Sequence, residues 1–374
     1  MEVHTVLVDT GGFSEVDRER IAQRAAACGV ASHSTLDRTK ELYDTVLRYC
    51  IAGNVLKNAS YPLSVSAERV VQAMAIAEHA LNIGATHIAH GSTGAGNDQV
   101  RFDMIFRILC PHLEVLTPIR DTNLSREEEI SYLKKNGVEG DWAKSAYSIN
   151  QGIWGTSVGG RETLTSHLPL PNTAFPSEER AVPTSTDHEH LEITFTAGEP
   201  TAINGKEMHP VEVIRECNER GSQWHIGRDM HVGDTIIGIK GRVAFEAPGA
   251  MLIIKAHHML EKHVLSKWQL ALKDQVSILY GQLLHEGQFL DAAMRSLEAF
   301  YRDTQQHVTG TVTLRLKEER FTVDGIQSSY DLMRSGFATY GEENIAWTGD
   351  DAKGFATIAG VPAALWRSVH GEQQ

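Results

Sequence analysis

A chain of 374 residues is longer than one hydrophobic core usually organises, so its length predicts two domains. The 48 acidic residues outnumber the 35 basic ones, and the formal charge of -13 excludes nucleic acid as an expected partner because the chain would repel a phosphate backbone. The four cysteines lie far apart and no apolar run reaches the roughly 20 residues of a membrane span, so we expect no disulfide scaffold, no membrane partner and a reducing, cytoplasmic location.

The first part of the chain alternates predicted strands and helices. An apolar run over residues 3–8 predicts a buried strand, and residues 15–29 predict a helix that ends at a glycine C-cap. A second helix is predicted between residues 61 and 84, where apolar positions recur at helical spacing. A short strand over 85–90, a glycine-rich turn and a helix through about Leu109 follow. This βαβα order is typical of a parallel sheet with helices on its faces.

The composition changes in the middle of the chain. Between residues 143 and 190, Ser, Thr, Gly and Pro become frequent, which is typical of a long loop or an interdomain crossing. We therefore predict one domain over residues 1–143 and a second over residues 144–374.

The second domain shows a different order of elements. Strands are predicted over 191–196, 235–239 and 308–316 from β-branched or alternating residues. A long helix is predicted to begin near His258, with an apolar stripe that lies in the core or at an oligomer interface. The stripe consists of Leu265, Trp268, Leu272, Val276 and Leu279. Strands around a long helix predict an α+β domain. A run over 187–190 offers only two imidazoles in a predicted loop, so we expect no metal site.

The turn after the predicted strand at 85–90 is the strongest candidate for a binding site. Its sequence, from His90 to Phe102, is HGSTGAGNDQVRF, and its glycines let a ligand approach the backbone at the start of a helix. Asn97 and Arg101 are four residues apart, so in a helix they share a face, and Arg101 offers a fork for a carboxylate. Asp98 either caps the helix or accepts a hydrogen bond from an ammonium group. A turn without a ligand remains the alternative interpretation of these glycines.

The stretch HGSTGAGNDQVRF resembles the signature of the argininosuccinate synthase family, whose members join citrulline to aspartate using ATP. The resemblance continues at Tyr61, Ser66 and Arg69, and at Ser148 and Ser157, which lie nine residues apart. Further matches, in family order, are residues 237–240, 246–248, 329–330 and 350–355. The resemblance therefore extends from residue 2 to about residue 368.

The resemblance implies a fold and an assembly. It implies an N-terminal nucleotide-binding domain of the adenine nucleotide alpha hydrolase-like type, followed by an α+β synthetase and multimerisation domain with long C-terminal helices. It also implies that the protein is a homotetrameric enzyme of arginine biosynthesis. ATP with Mg²⁺ would be a substrate complex, and no tightly bound cofactor is expected.

The resemblance also implies roles for individual residues. Asp98 and Arg101 are the candidate catalytic residues, and Val8 and Gly91 would border ATP. The expected aspartate contacts are Thr93, Asn97 and Asp98. The expected citrulline contacts are Tyr61, Ser66, Asn97, Arg101, Ser148 and Ser157. The reaction would be ATP-dependent ligation of citrulline with aspartate, giving argininosuccinate, AMP and pyrophosphate.

Two features depart from the family pattern. The family begins with a strand and an SGGxDxS loop around the pyrophosphate of ATP, which this sequence lacks, so we expect a displaced start site or a trimmed chain with poor ATP binding and impaired activity. Many relatives place a glutamate and a tyrosine against the amino-acid end of citrulline, where this chain has Gly233 and Phe245. Either Asp234 replaces the lost carboxylate, or the substrate is an acylcitrulline whose amino group is uncharged.

A second functional class remains open from the sequence. A relative that keeps the amino-acid pocket without catalysis would act as an oligomeric binding or regulatory protein. Exchange between ATP and pyrophosphate in the presence of citrulline distinguishes this alternative from the ligase.

Overall fold

In a computed structural model, the chain forms two compact units, residues 1–330 and residues 331–374. The residues that the structure describes are 2–122, 126–138, 147–180, 187–338, 340–341 and 345–371.

The chain opens with parallel strand pairs that confirm the α/β prediction. Strand β1 (His4–Asp9) pairs in parallel with β2 (Ser32–Asp37), and helix α1 (Glu15–Ala27) connects them. Strand β3 (His87–Ala89) pairs in parallel with β4 (Glu114–Leu116) through helix α5 (Asp98–Leu109). Parallel neighbours need such crossover helices because a tight turn cannot join them.

The same region contains further helices. They are α2 (Thr39–Leu42), a π-helical turn (Tyr43–Leu47), α3 (Arg48–Ala52), α4 (Ser64–Asn82), α6 (Pro118–Thr122) and α7 (Arg126–Lys135). The α4 helix matches the prediction for residues 61–84, and its small and β-branched residues Ala67, Val70, Val71 and Ala77 are fully buried. Small residues on this face let neighbouring elements approach closely, and α5 packs along α4.

Two antiparallel sheets follow. The first has the strand order β10-β11-β6-β5, and the second has the order β13-β12-β7-β8-β9. The strands are β5 (Ser148–Gly152), β6 (Gly155–Gly159), β7 (Glu189–Thr196), β8 (Glu199–Ile203), β9 (Lys206–Glu207), β10 (Arg228–Asp234), β11 (Lys240–Glu246), β12 (Gly310–Lys317) and β13 (Arg320–Gln327). Short 3₁₀ turns lie at Arg161–Leu164 and Asn172–Ala174. The predictions for 191–196 and 308–316 are confirmed by β7 and β12.

The prediction of a strand over 235–239 is wrong. These residues form the turn between β10 and β11, in which the Thr235 backbone N–H donates to the carbonyl of Ile239 at 2.8 Å. Gly238 has φ +85°, a left-handed conformation that suits glycine and reverses the chain. The β-branched residues of this segment resemble a strand, but the glycine determines a hairpin.

The long helix expected from His258 is two helices. Helix α9 (Pro248–Val264) ends before Leu265, and α10 (Lys267–His285) begins after Ser266. The Ser266 hydroxyl and the Gln269 side chain form a reciprocal capping box, which starts a new helix. Trp268 is 74% exposed, so the expected stripe is not a core face. Helices α8 (Pro210–Gln223) and α11 (Ala292–Gln305) complete this part of the chain.

One cluster of buried side chains contains residues from both sides of residue 143, among them Val70, Ile105, Phe245, Leu284 and Val312. The cluster joins the helices around α4 to α9, α10 and the five-stranded sheet. The domain boundary at 143/144 remains a prediction.

The second unit, residues 331–374, contains a 3₁₀ turn (Leu332–Arg334) and helices α12 (Gly349–Ala359) and α13 (Val361–His370). None of the residues of these two helices is buried. Phe355, Ile358 and Leu365 are more than half exposed, at 74%, 74% and 62%. Within the described parts of the chain, no helix combines the length and apolarity needed to cross a membrane.

Candidate functional site

The glycine-rich segment leaves the end of β3 and enters α5 at Asp98, which confirms the predicted strand, turn and helix. The turn is tied to its surroundings by side chains: His90 Nε2 lies 2.9 Å from Asp103 Oδ1, and the Gln99 side chain donates to the carbonyl of Gly94. Arg120 donates to the other oxygen of Asp103 at 2.9 Å. The chain between His90 and α5 is therefore held as a defined loop at the carboxyl edge of a parallel strand, where ligands of α/β proteins gather.

A cavity of about 330 Å³ opens beside this loop. Its walls come from the α4 and α5 N-termini, the β5–β6 hairpin, the β10–β11 hairpin and the end of α10. The expected substrate residues that line it are Tyr61, Ser66, Thr93, Asn97, Asp98, Arg101 and Ser157. The lining as a whole thus comes from five separate segments of the chain.

Three predicted residues lie elsewhere. Ser148 is exposed and does not line the cavity; in the β5–β6 hairpin it pairs with Gly159, whereas Asn150 pairs with Ser157. The Asn150 side chain donates to Ser157 Oγ at 3.4 Å and lines the cavity instead of Ser148. Val8 is buried near the end of β1 and Gly91 is exposed after β3, and neither lines the cavity.

Arg101 is buried and its guanidinium is largely occupied by the protein itself. It donates to Ser66 Oγ at 2.9 Å, to the carbonyl of His285 at 2.8 and 3.1 Å, and to Asp98 Oδ1 at 3.1 Å. The expectation of a free fork for a carboxylate is therefore corrected, because most of its five N–H donors already have acceptors. Arg101 instead fixes α5 against α4 and the end of α10, 184 residues away.

Asp98 does not cap α5, which corrects one of its two expected roles. It is the first residue of the helix, after Asn97, and no side chain caps that end. Its carboxylate accepts from Arg69 Nε at 2.8 Å and from Arg101 at 3.1 Å. Arg69 also donates to Asn150 Oδ1 at 2.5 Å, so one arginine links α4, α5 and β5. Each oxygen of Asp98 accepts a hydrogen bond from an arginine, which fixes the orientation of the carboxylate.

Asn97 faces the cavity with a partly free amide. Its Oδ1 accepts the backbone N–H of Ile236 at 2.8 Å, which ties the glycine-rich loop to the β10–β11 turn. Because the side-chain oxygen is occupied, the amide NH₂ is the part that remains to donate to a ligand.

An aromatic wall forms one side of the cavity. The Tyr61 ring stacks on His231 with centroids 5.2 Å apart and contacts Phe245 at 5.3 Å. A Cβ on Gly233 would lie 2.7 Å from His231 Nε2, so glycine at this position makes room for the ring. His231 is 7% exposed, and its Nδ1 has no hydrogen-bond partner among the described residues.

The two histidines of the cavity are neutral at pH 7. Burial, followed by the nearby Arg101, lowers the pKa of His285 to about 4. Burial and then Lys57 lower the pKa of His231. The positive charge of the lining therefore comes from arginines and not from histidines.

Asn150, His231 and His285 are site residues that the sequence did not indicate. If residues 153–154 form the two-residue turn of a hairpin, Asn150 lies opposite Ser157. The sequence therefore contained one signal for Asn150 as a site residue. His231 and His285 reach the site only through long-range packing, and no local pattern marks them. Residues 189–190 of the run at 187–190 lie in β7, so the expectation of a loop is wrong for these two residues. Among the described residues, no His, Cys, Asp and Glu side chains form a group of three or more that could hold a metal ion.

Parallel N-terminal strands and a polar cavity at the start of α5 define an α/β protein with a site suited to small charged molecules. Residues 1–139 match the family model described as the arginosuccinate synthase N-terminal HUP domain, and residues 147–366 match the arginosuccinate synthase C-terminal domain. The chain therefore belongs to the argininosuccinate synthase family.

Individual relatives agree with this membership. The argininosuccinate synthase of Methanocaldococcus jannaschii is 37% identical over 344 residues, which are 92% of this chain and 86% of the relative. The protein of the same name from Dehalococcoides mccartyi strain BAV1 is 35% identical over 370 residues, 98% of this chain and 89% of the relative. That of Rubrobacter xylanophilus is 36% identical over 358 residues, 94% and 86% of the two chains.

Proposed function

We propose that this protein is a ligase that joins citrulline to aspartate at the expense of ATP, giving argininosuccinate, AMP and pyrophosphate. The observation that carries this proposal is the cavity beside α5, into which the HGSTGAGNDQVRF loop, Tyr61 and Ser157 converge. Membership of the argininosuccinate synthase family supports the reaction, because the relatives carry that name.

The proposed reaction has two steps. The ureido oxygen of citrulline attacks the α-phosphorus of ATP and pyrophosphate leaves; the amine of aspartate then attacks the activated ureido carbon and AMP leaves. Displacements of this kind depend mainly on positioning and charge neutralisation. A site with fixed arginines and few free acid–base groups suits such a reaction.

Aspartate is assigned to the loop side of the cavity. Thr93 and the amide NH₂ of Asn97 would donate to its carboxylates. Asp98 is held by two arginines and would orient the amine. Because both of its oxygens are already ion-paired, Asp98 acts as a fixed hydrogen-bond acceptor for the amine.

Citrulline is assigned to the side formed by α4 and the β5–β6 hairpin. Ser66, Asn97 and Ser157 would contact it, and Tyr61 would form the wall beside it. Arg101 positions Ser66 and Asp98 and supplies positive charge next to the substrate carboxylate. Ser148 lies outside this cavity, and Asn150 takes its place as a contact. Val8 and Gly91 would border ATP, which would bring Mg²⁺ as part of the substrate complex.

The amino end of citrulline faces Gly233 and the β10–β11 turn in this proposal. Asp234 forms an ion pair with Lys240 at 2.6 Å, and its side chain is 62% exposed. A carboxylate that is already paired and solvated is a weak counter-ion for a substrate ammonium. This contact supports acylcitrulline over free citrulline as the substrate.

Assembly and location are also proposed. The apolar exposed faces of α12 and α13 are what a homotetramer would bury, since large exposed apolar surfaces mark interaction sites. Cytoplasmic arginine biosynthesis fits the free cysteines, none of which forms a disulfide.

Exchange of radioactive pyrophosphate into ATP tests the ligase. The full chain should catalyse exchange that depends on citrulline or acylcitrulline, and Asn97→Ala should reduce it strongly, whereas exposed Glu19→Gln should not. Binding of the amino acids without exchange would contradict the ligase and favour a non-catalytic binding protein.

A further inference from the structure

His231 is a buried polar side chain in the wall of the site cavity. It lies on β10, lines the cavity and is 7% exposed. Neither of its ring nitrogens forms a hydrogen bond with a residue that the structure describes, and Nδ1 is enclosed by the protein. Buried polar groups are nearly always hydrogen-bonded, because an unpaired one costs stability. An unpaired imidazole in a cavity wall therefore indicates contact with a ligand.

The imidazole occupies the space that a side chain at position 233 would need. His231 and Gly233 are two residues apart on β10, so both project from the same face of the strand. A Cβ on Gly233 would lie 2.7 Å from His231 Nε2, too close for both to keep their positions. A glutamate at position 233, as in the family pattern, would compete with this ring for one space.

The ring is held in a defined orientation and in a neutral state. It stacks on Tyr61 with the ring planes 26° apart. Burial and then Lys57 lower the pKa of His231, so at pH 7 one of its two nitrogens is a hydrogen-bond acceptor. Nε2 is the nitrogen on the side of Gly233, which also lines the cavity.

The carboxylates that line the cavity are already ion-paired. Asp98 accepts from Arg69 and Arg101, and Asp234 lies 2.6 Å from Lys240. Within the described lining, no unpaired carboxylate can therefore accept a hydrogen bond from a substrate amino group. The neutral imidazole is an acceptor that no described residue uses.

We propose that His231 Nε2 accepts a hydrogen bond from the α-nitrogen of the ureido substrate and is a specificity-determining residue for its amino-acid end. The inference rests on the proposed ligase function, in which the amino end of citrulline faces Gly233. Citrulline offers this N–H as an ammonium group, and an acylcitrulline offers it as an amide. In both cases the imidazole takes the place of the side chain that position 233 lacks.

The test compares citrulline, N-acetylcitrulline and 5-ureidopentanoate, which is citrulline without its amino group, with the full chain. Pyrophosphate release with ATP and aspartate gives kcat and KM, and calorimetry without ATP gives binding. The better of the two nitrogen-bearing substrates should be preferred to 5-ureidopentanoate by about tenfold, the range expected for one hydrogen bond in a buried site. Which of the two binds more tightly identifies the donor as ammonium or amide.

Variants of His231 assign this preference to the ring nitrogen. His231→Phe keeps a ring that stacks on Tyr61 but removes both nitrogens, so it should abolish the preference mainly through KM and leave affinity for 5-ureidopentanoate unchanged. His231→Gln restores an acceptor and should retain part of the preference. His307→Phe is the matched control, because His307 packs on Tyr330 with ring centroids 4.8 Å apart and does not line the cavity. It should behave as the parent.

The outcomes separate this inference from the ligase proposal. If His231→Phe weakens all three substrates equally, or if the parent shows no preference, the inference is overturned while pyrophosphate release leaves the ligase intact. No pyrophosphate release with any substrate, together with a His231-dependent binding preference for the α-nitrogen, overturns the ligase and supports the inference. If His231→Phe fails to fold, His231→Leu removes the nitrogens without adding bulk and is judged by the same criteria.

Discussion

Glu68 makes the protein less stable as the pH rises, and this effect is large enough to measure. It lies on α4 with 2% of its surface exposed, and its Oε1 has no hydrogen-bond partner among the described residues. Burial raises the pKa of Glu68 from its ordinary 4.5 to about 8, against smaller opposing effects of Arg69 and Thr10. The folded protein therefore keeps Glu68 protonated at pH 7.

The sign and size follow from proton linkage. Below pH 4.5 the side chain is protonated in both states and contributes nothing to the pH dependence. Between pH 4.5 and about 8 the unfolded chain ionises while the folded protein does not, so stability falls as the pH rises. At about 1.4 kcal/mol per pH unit, the loss approaches about 5 kcal/mol above pH 8.

Urea unfolding of the parent protein and Glu68→Gln between pH 5 and pH 9 measures this loss. The amide keeps the shape of the side chain and does not titrate, so the variant should gain several kcal/mol relative to the parent as the pH rises. Glu19→Gln, at an exposed position of α1, is the control and should follow the parent. Parallel curves for Glu68→Gln and the parent would refute a buried protonated carboxyl.

Other substitutions probe separate contacts. Gly152→Ala should destabilise the fold because its Cβ would meet Glu68 Oε1 at 1.8 Å, and a double-mutant cycle in urea should show relief by Glu68→Ala; additive effects would contradict this. Lys273→Met should cost about 3–5 kcal/mol in urea unfolding because it removes the ammonium that lies 2.8 Å from buried Glu261 and leaves this carboxylate without its ion-pair partner; an unchanged midpoint would count against this. Arg69→Met should weaken aspartate binding about tenfold in calorimetry, since it removes one charged hydrogen bond to Asp98; unchanged affinity would oppose that role. A thiol reagent should modify Cys28 rapidly in the folded protein and the three buried cysteines only on unfolding; rapid reaction of a second thiol would argue otherwise.

Much of the N-terminal fold could be predicted from local patterns. The apolar run before Asp9, the helical spacing in α4 and the glycines after β3 each report a backbone preference that needs no distant partner. The same reasoning failed at 235–239 and near Leu265. In both places the prediction followed the apolar and β-branched pattern and gave too little weight to a local signal. Gly238 marked a turn, and Ser266 with Gln269 marked a helix start.

The site was less accessible to sequence reasoning. Its residue types were indicated correctly, but the state of each side chain depends on distant packing. From the sequence alone, the Arg101 guanidinium is expected to be available to a substrate carboxylate. Its hydrogen bond to the carbonyl of His285 shows that the protein already uses it. Ser148 and Asn150 point to the same face of β5, and only the register with Ser157 shows which one reaches the cavity.

The central claim is that the cavity beside α5 receives two amino-acid substrates. A crystal structure of the protein soaked with aspartate and with citrulline or acylcitrulline tests it most directly. Both ligands should lie between Thr93, Asn97 and Ser157. Ligands bound elsewhere, with this cavity empty, would contradict the account.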